Sequence, residues 1–180
     1  LDQGVDAEVL HLDLSATSQG IARKRAEIRN LPNIRFVQDS LLNAPQYGPF
    51  DYIDCCGVLH HLDDPPAGLA ALKAALTPEG GIGLMVYAPL GRTGVYPLQS
   101  ALRRLTNGQE DPARVRIARK VLAELPASNW LKRNPLITDH MGSDAGVYDL
   151  LLHSRDRAYT VPELVDFVQE IGRASCRERV

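Results

Sequence analysis

The sequence reads as an α/β fold, an open and mainly parallel sheet with helices on both faces. Three features point to it. An apolar run at residues 52–59 passes Gly57, meets Asp63 and Asp64, reaches Pro65 and Pro66, and continues as a helical pattern over residues 67–76. That order reads as a strand, a loop and a helix start, with Asp63 or Asp64 as the cap and a proline in the first turn. Two further apolar stretches, 8–14 and 34–37, run into the acids Asp13 and Asp39, and an amphipathic pattern at 16–29 lies between them.

The stretch 8–14 alternates imperfectly between apolar and polar residues, as a strand at a sheet does. At 16–29, Ile21, Ala22, Ala26 and Ile28 alternate with Arg23, Lys24, Arg25 and Glu27, which suits a helix covering the sheet. Asn30, Pro32 and Asn33 end it. In the strand after Phe50, Asp54 is off-pattern, since a central parallel strand is apolar on both faces. Cys55 and Cys56 fall in the same strand, where a buried thiol behaves as a small hydrophobe and not as a nucleophile. The Cys, His and Asp residues between 55 and 64 match no zinc spacing, so no metal is expected.

Composition narrows the class. The chain has 180 residues, 44% hydrophobic and 23% charged, with a formal net charge of -2. It is long enough for one domain with a sizeable core, and its charge leaves no electrostatic footprint for nucleic acid or an anionic membrane. No apolar run approaches the ~20 residues of a membrane helix, and no signal peptide is visible. Three cysteines do not make a disulfide framework, so a reducing cytoplasm is the expected location. Residues 171–180 resemble the translation of a common sequencing adapter and are read as a non-native tail, outside the fold.

Four landmarks in order resemble class I S-adenosylmethionine (SAM) dependent methyltransferases over residues 5–88. Ala7 to Ser15 resembles that family's second strand with its terminal acid, and Ile34 to Ser40 its third. Phe50-Asp51 followed by a strand and the loop Leu59-His60-His61-Leu62 resembles its fourth strand and following loop, and Leu76 to Tyr87 its Pro-Gly-Gly turn and fifth strand. The resemblance implies a Rossmann-like sheet with SAM bound beyond the carboxyl ends of the strands. It assigns cofactor contacts to Asp13, Leu14, Asp39, Ser40, Gly57, Val58 and His60. Asp13 would accept hydrogen bonds from both ribose hydroxyls, and Asp39 one from the adenine amino group, with the next backbone N–H reaching a ring nitrogen. The plainer alternatives are that Asp13 or Ser15 caps the next helix, that Asp39 ends an exposed strand, and that His60 or His61 lines a pocket and is not a general base.

The expected layout is a partial Rossmann-like core at 1–88, a helical insertion at 89–158 as substrate cover, a helix at 159–170 returning to the core, and the tail. Helical periodicity marks 96–105, 112–125 and 145–153, and Thr160 with Glu163 forms a capping box. Tyr87, Arg92, Tyr96, Trp130, His140 and Tyr148 are candidates for the acceptor pocket, each equally compatible with helix packing. The sequence contains no Gly-x-Gly-x-Gly loop, and it is read as a fragment lacking the family's first strand. Such a gap in the sheet implies marginal folding and poor SAM binding by these residues alone.

The expected activity is methyl transfer from SAM to an unidentified acceptor, a small molecule in preference to a macromolecule. Catalytic residues are not assigned. The rival readings are a nicotinamide-dependent oxidoreductase, which Asp13 would serve equally, and a non-catalytic binding scaffold. The oxidoreductase lacks a Tyr-x-x-x-Lys pair here.

Overall fold

The computed structural model describes residues 7–169. The chain divides into two compact units, whose described parts are 7–84 and Met85–Gln169.

The first unit contains β1 (Val9–Asp13), α1 (Ala16–Ile28), β2 (Ile34–Gln38), β3 (Phe50–Cys56), α2 (Pro65–Ala74) and most of β4 (Leu76–Met85). Short 3-10 helices, Leu41–Gln46 and Leu59–His61, follow β2 and β3. β1 and β2 pair in parallel, from Val9 opposite Ile34 to Asp13 opposite Gln38. β3 and β4 form a separate two-stranded sheet.

Local chemistry explains the helix ends. The Ser15 hydroxyl accepts from the Ser18 N–H at 3.2 Å, capping α1. After α1, Asn30 takes a left-handed φ of 51°, a conformation Asn tolerates better than most residues. Asp64 caps α2 through Ala67 N–H at 3.0 Å, and proline occupies the first turn, as anticipated. Helix α2 packs on both 3-10 turns. A Cβ at Gly68 would sit 2.3 Å from Leu62 Cδ1, the end of a flexible side chain that would have to shift.

Three expectations about this unit change. β3 was read as buried on both faces, yet only Cys55 is buried, while Tyr52, Asp54 and Cys56 are exposed. The strand therefore has one covered face, and Asp54 lies on the open one. Helix α1 packs on β1 and β2 as a cover, but an incomplete one, since Ile28 is 81% exposed and only Gln19 and Ala26 are buried. Its apolar residues border an open groove. The turn read at Pro78 to Gly81 is instead continuous strand, because α2 ends at Ala74 and β4 begins at Leu76.

The second unit is helical: α3 (Val95–Leu105), α4 (Asp111–Glu124), the short α5 (Trp130–Arg133), α6 (Asp139–Gly142) and α7 (Asp144–Val147), a π turn (Tyr148–Leu152) and α8 (Val161–Gln169). Its core joins Val95, Leu98 and Leu102 of α3 to Ala118, Leu131, Ile137, Val147 and Leu150 to Leu152. The predicted helix at 145–153 is thus broken into α7 and a π turn. The carbonyls of Leu150 and Leu152 accept from the side chains of Gln99 and Arg114, at 2.9 and 2.8 Å, which compete with regular helical pairing. The capping box forms as read, with Thr160 N–H donating to Glu163 Oε2 at 2.7 Å and Glu163 N–H to Thr160 Oγ1 at 3.5 Å. Helix α8 belongs to this unit.

Gly94 begins α3 with φ of 91°, and a Cβ there would lie 2.4 Å from the Leu131 backbone nitrogen. Both the conformation and the space exclude a side chain. Gly94→Ala is expected to lower stability by about 2 kcal/mol or more, read from urea unfolding; an unchanged midpoint would show that the loop relaxes at no cost.

Candidate functional site

Because β1 and β2 run parallel and in register, both deliver an acid to the same sheet edge. Asp13 is the last residue of β1, and Asp39 follows the last residue of β2. Asp13 lies opposite Gln38, so Asp39 stands one residue further along the neighbouring strand.

The two carboxylates are held differently. Asp13 Oδ1 accepts the Ser15 N–H at 2.7 Å. The Asp13 carbonyl accepts from buried Gln19 at 3.3 Å and that of Leu14 from Gln38 at 3.2 Å, which fixes the turn at this edge. Leu14 is 73% exposed beside it. Asp39 Oδ1 accepts Ser40 N–H at 2.7 Å and Asn43 Nδ2 at 2.8 Å, and its Oδ2 accepts the Tyr47 hydroxyl at 2.6 Å. These bonds, Tyr47 first, hold its pKa below the ordinary 3.8. Ser40 N–H, expected to meet a ring nitrogen, is turned toward Asp39 in this conformation. The Ser40 hydroxyl caps the following 3-10 turn through Leu42 N–H at 3.2 Å.

The other expected contacts lie at the end of β3. Gly57 has φ of 77°, the left-handed turn that releases the chain from the strand. Val58 is 40% exposed, whereas His60 is 1% exposed and packs against His61 with ring centroids 4.2 Å apart. The structure thus brings together Asp13, Leu14, Asp39 and Ser40 on one sheet, and places Gly57, Val58 and His60 on the other.

A groove of about 560 Å³ opens beside the first group, between β1, β2 and α1. Val9, His11, Asp13, Ile21 and Phe36 line it. His11 stands edge-on to Phe36 at 5.3 Å, and its Nε2 is buried with no hydrogen-bond partner. Alternation within β1 puts His11 and Asp13 on one face, a signal available in the sequence but not used.

The cysteines do not form a nucleophilic site. Burial pushes Cys55 up to about 11, and Cys56 is raised by its hydrogen bond to Asp54. Cys56 is exposed, contrary to expectation, because it shares the open face of β3. Among the described residues no group of His, Cys, Asp and Glu is placed to hold a metal.

Of the candidates in the second unit, Tyr87, Arg92 and Tyr96 meet. The Arg92 guanidinium lies 3.8 Å from the Tyr87 ring centroid and 5.8 Å from that of Tyr96. Arg92 pairs with Asp156, and Gln99 donates to the same Asp156 oxygen at 2.9 Å. Neither Asp156 nor Gln99 was a candidate, and no local pattern marks a pair 64 residues apart in sequence. Trp130 stays 71% exposed, His140 is buried with its pKa lowered by burial, and Tyr148 lies under Arg114 at 5.6 Å.

A short parallel sheet with acids at its carboxyl edge and an intervening helix is the architecture of a Rossmann-like nucleotide-binding protein. More narrowly, residues 1–82 match the family model described as a methyltransferase domain, and the chain has a Rossmann-like fold of the kind seen in methyltransferases. It is similar to the solved structure of PKMT2 from Rickettsia typhi in complex with AdoHcy, at TM-score 0.64 and 19% identity over 91% of this chain and 34% of that one. An uncharacterised protein of Synechococcus is 40% identical over 71% of this chain and 31% of its own length. A ubiquinone biosynthesis O-methyltransferase of Albidiferax ferrireducens is 24% identical over 77% of this chain and 60% of its own. The chain therefore spans about a third of the first relative and three fifths of the second.

The depressed pKa of Asp39 has a pH consequence. Its stabilisation is present above the unfolded value of 3.8 and is lost as pH falls through the lower folded value. Tyr47→Phe is expected to lower the melting temperature at pH 7, the gap from wild type closing as the pH drops below that unfolded value. A gap independent of pH would assign the Tyr47 effect to packing alone.

Proposed function

We propose that the whole protein of which this chain is a part transfers a methyl group from SAM to an acceptor. The observation that carries this reading is the placement of Asp13 and Asp39 on one edge of the parallel β1–β2 sheet, within a methyltransferase fold. The residues present suit the cofactor. Asp13 Oδ1 takes one bond from Ser15, which leaves its other oxygen for a ribose diol, and a carboxylate has about four lone-pair directions in all. Asp39 is more heavily engaged, and its remaining acceptor capacity serves a single donor, as an adenine amino group would need. Leu14 and Val58 offer apolar surface to a ring, and the left-handed Gly57 brings backbone close to the loop that would line the site.

Bound SAM supplies an electrophilic sulfonium methyl; the chain's part is to grip the nucleoside and to align the acceptor with the methyl carbon and sulfur. His60 is buried and serves this reading as a support of the loop, not as a base. In this reading the acceptor is a small molecule, which the ubiquinone biosynthesis O-methyltransferase among the relatives supports. The family description and the named O-methyltransferase relative support transfer over a nicotinamide reaction. A cytoplasmic location accords with the two free thiols of β3, and among the described residues no helix is long and apolar enough to cross a membrane.

Calorimetric titration of the whole protein with SAM and, separately, NAD tests the proposal. Saturable SAM binding that weakens about tenfold or more in Asp13→Ala, the loss of a charge-assisted pair of bonds, supports it. Binding of NAD alone, of neither, or of SAM with no effect of Asp13→Ala sinks the reading or its central contact.

A further inference from the structure

The Asp39 carboxylate is bonded at both oxygens by the loop that follows it. Oδ1 accepts Ser40 N–H at 2.7 Å and Asn43 Nδ2 at 2.8 Å, and Oδ2 accepts the Tyr47 hydroxyl at 2.6 Å. With about two lone-pair directions on each oxygen, Oδ1 is filled and Oδ2 keeps one acceptor position. Rotation about the Cβ–Cγ bond is broad for an ordinary aspartate. Donors at both ends of the carboxylate remove that freedom, so the remaining position has a fixed direction.

The donors are themselves anchored within the first unit. Asn43 belongs to the 3-10 turn Leu41–Gln46, whose Ala44 is buried and which packs on α2. Tyr47 closes that turn, its N–H donating to the Ala44 carbonyl at 3.0 Å. The next residue, Gly48, lies against the carbonyl of Ala75 at the end of α2, so closely that a Cβ would come within 2.7 Å. The same carbonyl accepts Phe50 N–H at 2.8 Å. The segment that carries Tyr47 is thus held from both sides. Its bond to Asp39 raises the Tyr47 pKa and lowers that of Asp39, so at neutral pH the phenol donates and the carboxylate accepts.

We propose that Tyr47 and Asn43 are positioning residues for the base of the bound nucleoside: acting through Asp39, they present its open Oδ2 position as an acceptor of fixed direction. The inference rests on the methyl-transfer reading and extends it to two residues outside the expected contacts. An ionised carboxylate has no proton to give, so the open position takes an N–H donor and repels a carbonyl oxygen. It therefore separates a 6-aminopurine from a 6-oxopurine, two bases of nearly equal size. Tyr47 and Asn43 sharpen the choice, because a carboxylate that cannot rotate cannot turn away from the wrong base.

The test is calorimetric titration of the whole protein with S-adenosylhomocysteine and S-inosylhomocysteine, which carry an amino and an oxo group at the 6 position of the base. The adenosyl compound is expected to bind more tightly. In Tyr47→Phe its affinity should fall about fivefold, the worth of one net hydrogen bond, while that of the inosyl compound changes little, so the ratio between them contracts. Asn43→Ala should contract the ratio in the same sense, and it serves where Tyr47→Phe does not fold. A purely structural role would weaken both compounds alike. Equal binding of the two by the wild type, equal loss of both in the variants, or a ratio that neither variant alters overturns the proposal. Asp13→Ala separates the two readings, since loss of a ribose contact lowers both affinities and leaves their ratio unchanged. If neither compound binds the wild type, the methyl-transfer reading falls and the inference with it. If Asp13→Ala weakens both while Tyr47→Phe and Asn43→Ala leave the ratio alone, only the inference falls.

Discussion

The parallel pairing of β1 with β2 is the constraint on which the first unit depends. Parallel neighbours cannot be joined by a tight turn, so the chain must return through a crossover, and α1 is that crossover. The same geometry puts both carboxyl ends on one edge. Asp13 and Asp39 therefore both stand at the carboxyl end of the pair, before any side-chain contact is considered. Short polar residues then finish the edge: Ser15 and Ser40 cap the next turns, and Gln19 and Gln38 hold the carbonyls of Asp13 and Leu14. The two acids emerge unequal. Three donors from its own loop orient Asp39, whereas Asp13 Oδ1 accepts one, the Ser15 N–H.

In the second unit a buried charge pair has the organising role. Desolvating a guanidinium and a carboxylate costs several kcal/mol for each ion, and an apolar pair of equal volume is often as stable. The pair is poor evidence of stability for its own sake. Here the cost is offset by the Tyr87 ring, by Gln99 and by a π-turn carbonyl, and the core of α3, α4 and the π turn closes around the assembly. Such an arrangement ties a loop, a helix and the segment at Asp156 into one geometry.

The legible features were those set by near neighbours in the chain. Strand and helix positions followed from apolar spacing, and α1, α2, α3 and α4 begin or end within a residue or two of the sequence reading. The Asp64 cap and the Thr160 and Glu163 box were also visible, because their partners lie three residues away. Burial was read less well. An apolar strand such as 52–59 looks doubly covered, yet whether a second layer exists depends on what packs there, and Tyr52 and Cys56 prove to be exposed. The π turn was missed for a similar reason, since its distortion is sustained by Gln99 and Arg114 from distant helices.

The sequence by itself determined the α/β class, the order of the elements and the two acids that close the β1 and β2 strands, because periodicity, caps and turn residues act over a few positions. Only the tertiary structure decided which acid has acceptor capacity to spare, that His60 is enclosed, that the strands form two separate pairs, and that Arg92 meets Asp156. Those outcomes depend on residues far apart in the chain, and no local pattern encodes the distance between them once the backbone has folded.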